Sequence, residues 1–427
     1  MLAAAFAPWL ARRGIHYGWV MVAITFVSAV CSSAAVSLTG VIFLPIVEEF
    51  DWARADVSGA IGLMLVMFAL VAPFAGALML RFGLRRVVTA SALLATMALF
   101  GATQISERWH LWFCLGLFLG TAAGMVAMAL SATVASRWFV ARRGLAMGLL
   151  TSAFAAGQLT FLPTAAWLAT EYGWRIAVLP AIIGAASAAT LYLLFARDWP
   201  ADIGMAPYGE KDVQKPEEAG KGNVVAVSLS VLAEAASTRV FWVIGGTFFI
   251  CGLSTTGLVN QHFIPFCADY GVAAVAAASF LAVMGVCNFA GTIFSGWLSD
   301  RFDNRMLLAC YYSLRGLSLI WLPFSDFDVL SLSIFAVFFG LDYVATVPPT
   351  VRLIAQHFGA AKAPIVFGWA FAGHQLGGAV SGYAGGAARD AWLSYLPLYV
   401  AIGGLCVFAA VVILSLRDVR PGNLQPA

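Results

Sequence analysis

Long apolar stretches alternate with short polar loops along nearly the whole chain. A helix needs about 20 mostly apolar residues to cross the hydrocarbon of a bilayer. The runs that qualify are 18–46, 57–80, 87–105, 111–136, 145–168, 176–195, 240–265, 273–298, 306–324, 330–351, 364–387 and 393–416. That makes twelve, six on each side of a polar stretch at 197–237. The alternation of polar and apolar residues that a membrane barrel strand requires is absent, so helices are predicted. The N-terminus lacks a short apolar region followed by a cleavage site, and the first span is expected to be retained. The predicted architecture is an all-α polytopic membrane protein: a six-helix bundle over 1–196, a linker over 197–237 and a second six-helix bundle over 238–427.

Composition agrees with this pattern. Of the 427 residues 62% are hydrophobic and 11% charged, against about 25% charged in an ordinary soluble domain. A net charge of +3 excludes a nucleic-acid binder driven by a basic surface. Seven cysteines, almost all inside apolar runs, show no metal-ligand spacing and read as small hydrophobes. The positions of Lys and Arg set the orientation. With both ends in the cytoplasm, nineteen of the 24 basic residues fall on that side, and only Arg54, Arg108, Arg175 and Arg389 on the other. Arg315 falls inside a span. The cell (inner) membrane is the expected location. Pro200, Pro207, Pro216 and the run Glu210-Lys211-Asp212 mark a flexible linker, and Val224–Ser237 reads as a short amphipathic helix on the membrane surface. Trp109, Trp112, Trp174, Trp199 and Trp392 sit at span ends, as interfacial belts require.

The halves repeat. Shifted by 220 residues, Gly76-Ala77-Leu78-Met79-Leu80-Arg81-Phe82 lies over Gly296-Trp297-Leu298-Ser299-Asp300-Arg301-Phe302, and Gly120, Gly148 and Gly157 lie over Gly340, Gly368 and Gly377. Two halves in one orientation are parallel repeats, and the substrate site of such proteins lies near mid-membrane between them.

The loop copies carry a family resemblance. Gly296-x-x-x-Asp300-Arg301-x-x-x-Arg305 resembles the loop motif of the major facilitator superfamily. The first copy keeps Gly76, Arg81, Gly83, Arg85 and Arg86 but has Leu80 where the family usually has Asp. The resemblance implies that Asp300 and Arg301 latch one state of the gate, or, more simply, that these arginines anchor the topology. A narrower resemblance joins Tyr17-Gly18-Trp19 and Trp138-Phe139-x-x-Arg142-Arg143-x-Leu145-Ala146-x-Gly148 to the monocarboxylate porter and oxalate/formate antiporter branch. This chain departs from the animal monocarboxylate pattern where that pattern binds its anion. Ser37 stands at its membrane Lys, and Asn288 and Thr292 stand at its Asp and Arg.

Ionisable groups inside a span are costly and are functional candidates by default. Asp342 lies in span ten, Arg315 in span nine and His374 in span eleven. Arg315 and Asp342 sit at similar depth. They either form a salt bridge that holds the two spans together or a pair that protonation or substrate breaks. The superfamily resemblance places Asp342 on a cavity-lining helix. Asp342 is expected to be a proton-coupling carboxylate, with His374 close by as relay or substrate ligand, or His374 simply bonded within the bundle. Polar lining candidates are Ser32, Ser33, Ser37 and Thr39 in span one, Gln158 in span five, Asn260, Gln261 and His262 in span seven, and Asn288 in span eight. Pro348 and Pro349 must bend or loosen span ten. Small residues such as Gly120 and Gly377 permit close helix contact.

No phosphate-binding glycine loop, His/Cys cluster or membrane-protease pairing occurs, so no enzyme, cofactor or metal is predicted. The expected function is gradient-driven transport of a small organic anion or related polar metabolite, coupled to protons, by a monomer in contact with lipid. Proton-driven efflux of amphipathic compounds is the alternative.

Overall fold

The computed structural model describes residues 2–210, 212–213, 224–299, 301–359 and 362–416. Twelve spans follow one another. The first is Gly18–Phe50, and the second Arg54–Phe74, continued by Ala75–Phe82. The third is Leu84–Ala102. The fourth joins Arg108–Leu111, a wide turn at Trp112–Leu119, and Gly120–Trp138. Arg143–Tyr172 and Trp174–Phe195 close the first half. The second half holds Arg239–Asp269, Ala274–Ser299 and Asn304–Phe324. Span ten is broken into Val329–Asp342 and Val347–Phe358, followed by Ala363–Trp392 and Leu396–Leu414. Ten of these helices are long and apolar enough to cross a membrane, and the fifth and eleventh, 30 residues each, complete the set. The chain is an integral membrane protein.

The sequence repeat reappears in space. Span four packs on span two, and span ten on span eight. In the first contact a Cβ at Gly120 would lie 2.8 Å from Met64 Cα; in the second, a Cβ at Gly340 would lie 2.7 Å from Met284 Cα. These pairs differ by 220 in both members, so the same backbone approach recurs at one register. It is open only to glycine, because any side chain would meet main chain rather than a movable tip.

The loops after spans two and eight solve one capping problem in two ways. A helix start leaves amide donors without intrahelical partners. At span nine the preceding Asp303 meets this locally, its Oδ1 accepting from Arg305 N at 2.9 Å. Hydrogen bonds from Arg305 hold the Asp303 carboxyl below its ordinary value. The first-half counterpart of Asp303 is Gly83, at φ +87°, which has no side chain to offer. Asp198, from the segment after span six, comes in instead, and its Oδ1 accepts from Arg85 N at 2.8 Å. A Cβ at Gly83 would sit 2.5 Å from the Asp198 carboxylate.

Residues 198–210 are therefore not the free linker expected from their prolines and charges. Tyr208 N donates to Trp138 O at 2.8 Å, and Tyr208 O accepts from Val140 N and Ala141 N at 3.0 and 2.9 Å. Residues 214–223 lie outside the described residues. Beyond them a helix forms at Val224–Ala236, as its pattern predicts.

The halves meet along spans two and eleven and along spans five and eight. At the face opposite the two chain ends they are also joined by charge. Asp390, late in span eleven, accepts from Arg54 N at 3.2 Å and Ala55 N at 2.7 Å, an acid at the positive end of span two. Arg54 adds contacts to Tyr395 OH at 3.0 Å and to Asp269 at 3.5 Å.

Candidate functional site

Arg315 lies on the inward face of span nine and is 1% exposed. Its Nε donates to Asp342 Oδ2 at 2.6 Å, and Nη2 to the carbonyls of Asp342 and Tyr343 at 2.6 and 3.3 Å. Nη1 donates to Cys251 Sγ at 2.8 Å and reaches Ser254 Oγ at 3.4 Å. The guanidinium also faces the rings of Tyr312 and Phe339. An arginine taken out of water needs its donors satisfied and its charge matched, and spans seven, nine and ten supply both. The match is incomplete on one side: Asp342 is 5% exposed, yet its Oδ1 has no hydrogen-bond partner among the described residues.

The pair sits where span ten breaks, and the sequence explains the break. Pro348 and Pro349 have no amide hydrogen, so the carbonyls four residues back lose their helical donors. Ser295 Oγ donates to one of them, Ala345 O, at 2.5 Å. From the same span, Asn288 Oδ1 accepts from Val344 N at 3.1 Å and from Thr292 Oγ1 at 3.0 Å. Arg315 takes the carbonyls of Asp342 and Tyr343. The interruption falls at 343–346, just before the prolines, and the prolines start the second segment, where a missing amide costs nothing. Asn288 thus braces the broken backbone through its Oδ1.

The other expected positions divide. His374 is half-buried, its Nε2 3.1 Å from Thr256 Oγ1 and its Nδ1 3.2 Å from Phe248 O, with its ring stacked on Phe371. It also touches the Cys251 thiol, which links it to Arg315. Gln261 and His262 are 1% and 0% exposed, so they are sealed in the seam between the halves rather than lining an open cavity. Thr39 Oγ1 of the first half donates to Gln261 Oε1 at 2.8 Å, and His262 Nε2 bonds Gly382 O at 2.7 Å. Ser37 is buried in span one. The side chain of Gln158 lies outside the described residues.

Among the loop-motif positions, Asp300 lies outside the described residues. Arg301 Nη1 reaches Trp297 O at 3.3 Å and its guanidinium covers the Trp297 ring. Arg305 grips Asp303 and donates to Leu416 O at 2.6 Å, tying the loop to the end of span twelve. Gly76 and Gly296 have open space around them. Arg81 stands over the Phe82 ring, and Arg142 over Tyr208.

Two groups were missed in the sequence. Cys251 has the sequence setting of a small hydrophobe but accepts from Arg315; its spacing of 220 from Cys31 is the available signal. The other is Tyr208, which gathers the two short branch motifs into one aromatic collar. Trp19 stacks edge-on to Phe139 at 5.0 Å and to Tyr208 at 6.0 Å, and Tyr17 lies 5.9 Å from Trp138. The Gly of Tyr17-Gly18-Trp19 is fixed by this packing, since a Cβ at Gly18 would stand 3.1 Å from the Phe139 ring.

Two packed six-helix repeats with ionisable groups buried in their spans are the architecture of secondary transporters. The family model of the Major Facilitator Superfamily matches residues 25–294 and 263–427, and the chain belongs to that superfamily. It is 27% identical over 403 residues to "Uncharacterized MFS-type transporter YcxA" of Bacillus subtilis (strain 168), covering 92% of this chain and 93% of that one. It is 26% identical over 412 residues to Monocarboxylate transporter 13 of Rattus norvegicus, covering 94% and 89%. In structure it matches the crystal structure of a D-xylose-proton symporter with a TM-score of 0.71 at 14% identity, over 93% of this chain and 98% of that one. These findings place the chain in a superfamily of transporters, and most of its length is similar to a monocarboxylate transporter.

Proposed function

We propose that the chain carries a small organic anion or related polar metabolite across the cell (inner) membrane by alternating access, coupled to protons. It does so as a monomer with both ends in the cytoplasm. Asp342 is the coupling carboxylate and Arg315 its counter-charge. One observation carries this reading. The first half makes the same helix contacts without any such pair: 220 residues before Arg315 and Asp342 stand Ala95 and Ala122. A buried ion pair is expensive, and this fold does not need one to pack.

Protonating Asp342 removes one charge of the pair and weakens the 2.6 Å contact at Oδ2. Oδ1, which has no hydrogen-bond partner among the described residues, is the oxygen that takes the proton. Arg315 also holds two carbonyls at the break of span ten, so a change in its charge partner acts on the joint between the two segments. His374, half-buried on span eleven and beside Cys251, and Thr256, half-buried on span seven, are polar groups that a substrate can meet. The similarity to a monocarboxylate transporter and to a proton symporter supports both the anion and the proton.

The test uses proteoliposomes and a panel of metabolites. An anion that shows counterflow identifies the substrate class, and it should accumulate against its gradient when an inward proton gradient is imposed. Asp342→Asn should abolish that accumulation and spare counterflow. Accumulation that persists in the Asn variant removes Asp342 from coupling; export of amphipathic cations would remove the anion.

A further inference from the structure

Where spans two, three, four and six end on the face that bears the chain ends, they enclose a cavity of about 770 Å³. Four guanidinium groups line it, those of Arg81, Arg85, Arg86 and Arg137, against two carboxylates, Asp198 and Asp202. Both acids already serve the backbone. Asp198 caps span three through Arg85 N, and Asp202 Oδ2 accepts from Trp199 N at 3.0 Å. Two of the arginines are similarly engaged: Arg85 donates to Leu193 O at 2.5 Å, and Arg137 reaches Asp198 O at 3.4 Å while covering the Trp199 ring. Arg81 and Arg86 are exposed and enter no ion pair among the described residues. The cavity therefore carries an excess of two positive charges, on the two side chains that are free to move.

The walls show which kind of anion fits. Leu93 and Leu193 line the same cavity and are 50% and 51% exposed, on helices whose outward faces meet lipid. The site is thus basic at the loop end and apolar along the spans, the profile of a phospholipid with its phosphate at the interface. The sequence shows the same gap, because Leu80 occupies the motif position whose counterpart in the second half is Asp300. We propose that the phosphate of an anionic membrane lipid binds between Arg81 and Arg86 and supplies the negative charge that this copy of the loop lacks. Guanidinium forks match a phosphate in a two-pronged contact, and the acyl chains run along Leu93 and Leu193.

The experiment compares purified full-length protein in detergent with Arg81→Gln/Arg86→Gln, Arg81→Lys/Arg86→Lys and Arg12→Gln/Arg13→Gln. Native mass spectrometry reads lipid retention during titration with dioctanoyl phosphatidylglycerol, dioctanoyl phosphatidylcholine or glycerol 1-phosphate. Phosphatidylglycerol should be retained in preference to phosphatidylcholine. The Gln pair at 81 and 86 should lower its retention roughly tenfold, while the Lys pair keeps most of it and the control pair at 12 and 13 leaves it unchanged. Equal retention by the 81/86 Gln pair and the unaltered chain overturns the proposal. So does an equal loss in the 12/13 control, which would show net charge alone at work. Competition by glycerol 1-phosphate as effective as by the lipid would assign the arginines to a soluble phosphate instead.

Discussion

In the second half, Cys251, Tyr312 and Thr346 surround the buried ion pair of Arg315 and Asp342. Moving back 220 residues, the first half offers Cys31, Ala92, Ala95, Ala122 and Val126, and these five line one small cavity of about 30 Å³. The two sites occupy equivalent places on equivalent spans. One is polar and charged; the other is walled by alanine, valine and serine. Ser91 Oγ donates to Ala122 O at 2.7 Å there. Helix packing therefore explains everything the halves share, and it does not explain the ion pair. Charges in a low-dielectric interior lose several kcal/mol each in hydration, by order of magnitude. A site that keeps them where the repeat shows they can be dispensed with is doing something other than packing.

The sharpest way to break this comparison is to make the second half resemble the first. Arg315→Met alone strands the Asp342 carboxylate among apolar side chains and should lower stability by about 3–5 kcal/mol. Arg315→Met combined with Asp342→Ala removes both charges and should recover most of that loss. Thermal melting of the purified variants, scored by a fluorescent thiol or light-scattering signal, distinguishes the two. A double variant no more stable than the single one would show that the second half needs its ion pair to fold, and the contrast between the halves would lose its meaning.

A second test asks whether the shared part of the plan is truly shared. Gly120 and Gly340 make the same close approach, to Met64 and Met284. An alanine at either must push main chain aside, at a cost of about 1–3 kcal/mol. Melting of Gly120→Ala and Gly340→Ala should give losses of similar size. A marked loss at one and none at the other would mean that the two seams are not equivalent.

Much of this plan was legible in the sequence, because lipid imposes a simple rule. A span must be long, apolar and internally hydrogen-bonded, so all twelve helices could be located from runs of apolar residues, with ends shifted by a few residues at most spans. The repeat was legible for the same reason: Gly120 and Gly340 are glycine because backbone touches backbone there. The ionisable pair was legible because charge is rare in a span. What the sequence did not disclose are contacts between distant segments with no periodicity to announce them. Nothing in Asp198 says that it caps span three, since its partner lies 113 positions away and the clue is an absent side chain at Gly83. Tyr208 sits in a stretch rich in proline and charge, which reads as linker, and only its pairing with Trp138 fixes it. Gln261 and His262 were located on the right helix, but whether they face a cavity or a sealed seam depends on which ends of the two halves are apart.

The smallest expected effect concerns the two capping acids. Asp303 belongs to the loop beside its helix, and hydrogen bonds from Arg305 hold its carboxyl below the ordinary value. The sign follows directly. A carboxyl whose value is lowered by folding contributes stability that is present above its unfolded value, about 3.9, and is lost as pH falls through the lower folded value. Asp303 is 31% exposed at its side chain, so solvent screens the contact and the contribution stays below about 1 kcal/mol. Asp303→Asn should accordingly leave the melting temperature near pH 7 only slightly reduced, since an amide oxygen still caps the helix. Its melting temperature should fall less steeply than that of the unaltered chain between about pH 4 and the onset of acid unfolding. Asp198→Asn probes the same cap in the half where the acid arrives from elsewhere. There the replacement also disturbs the contact that holds residues 198–210 to the first half, so its loss near pH 7 should exceed that of Asp303→Asn. If the order is reversed, the distant acid is an accessory and Gly83 is glycine for its backbone angle alone.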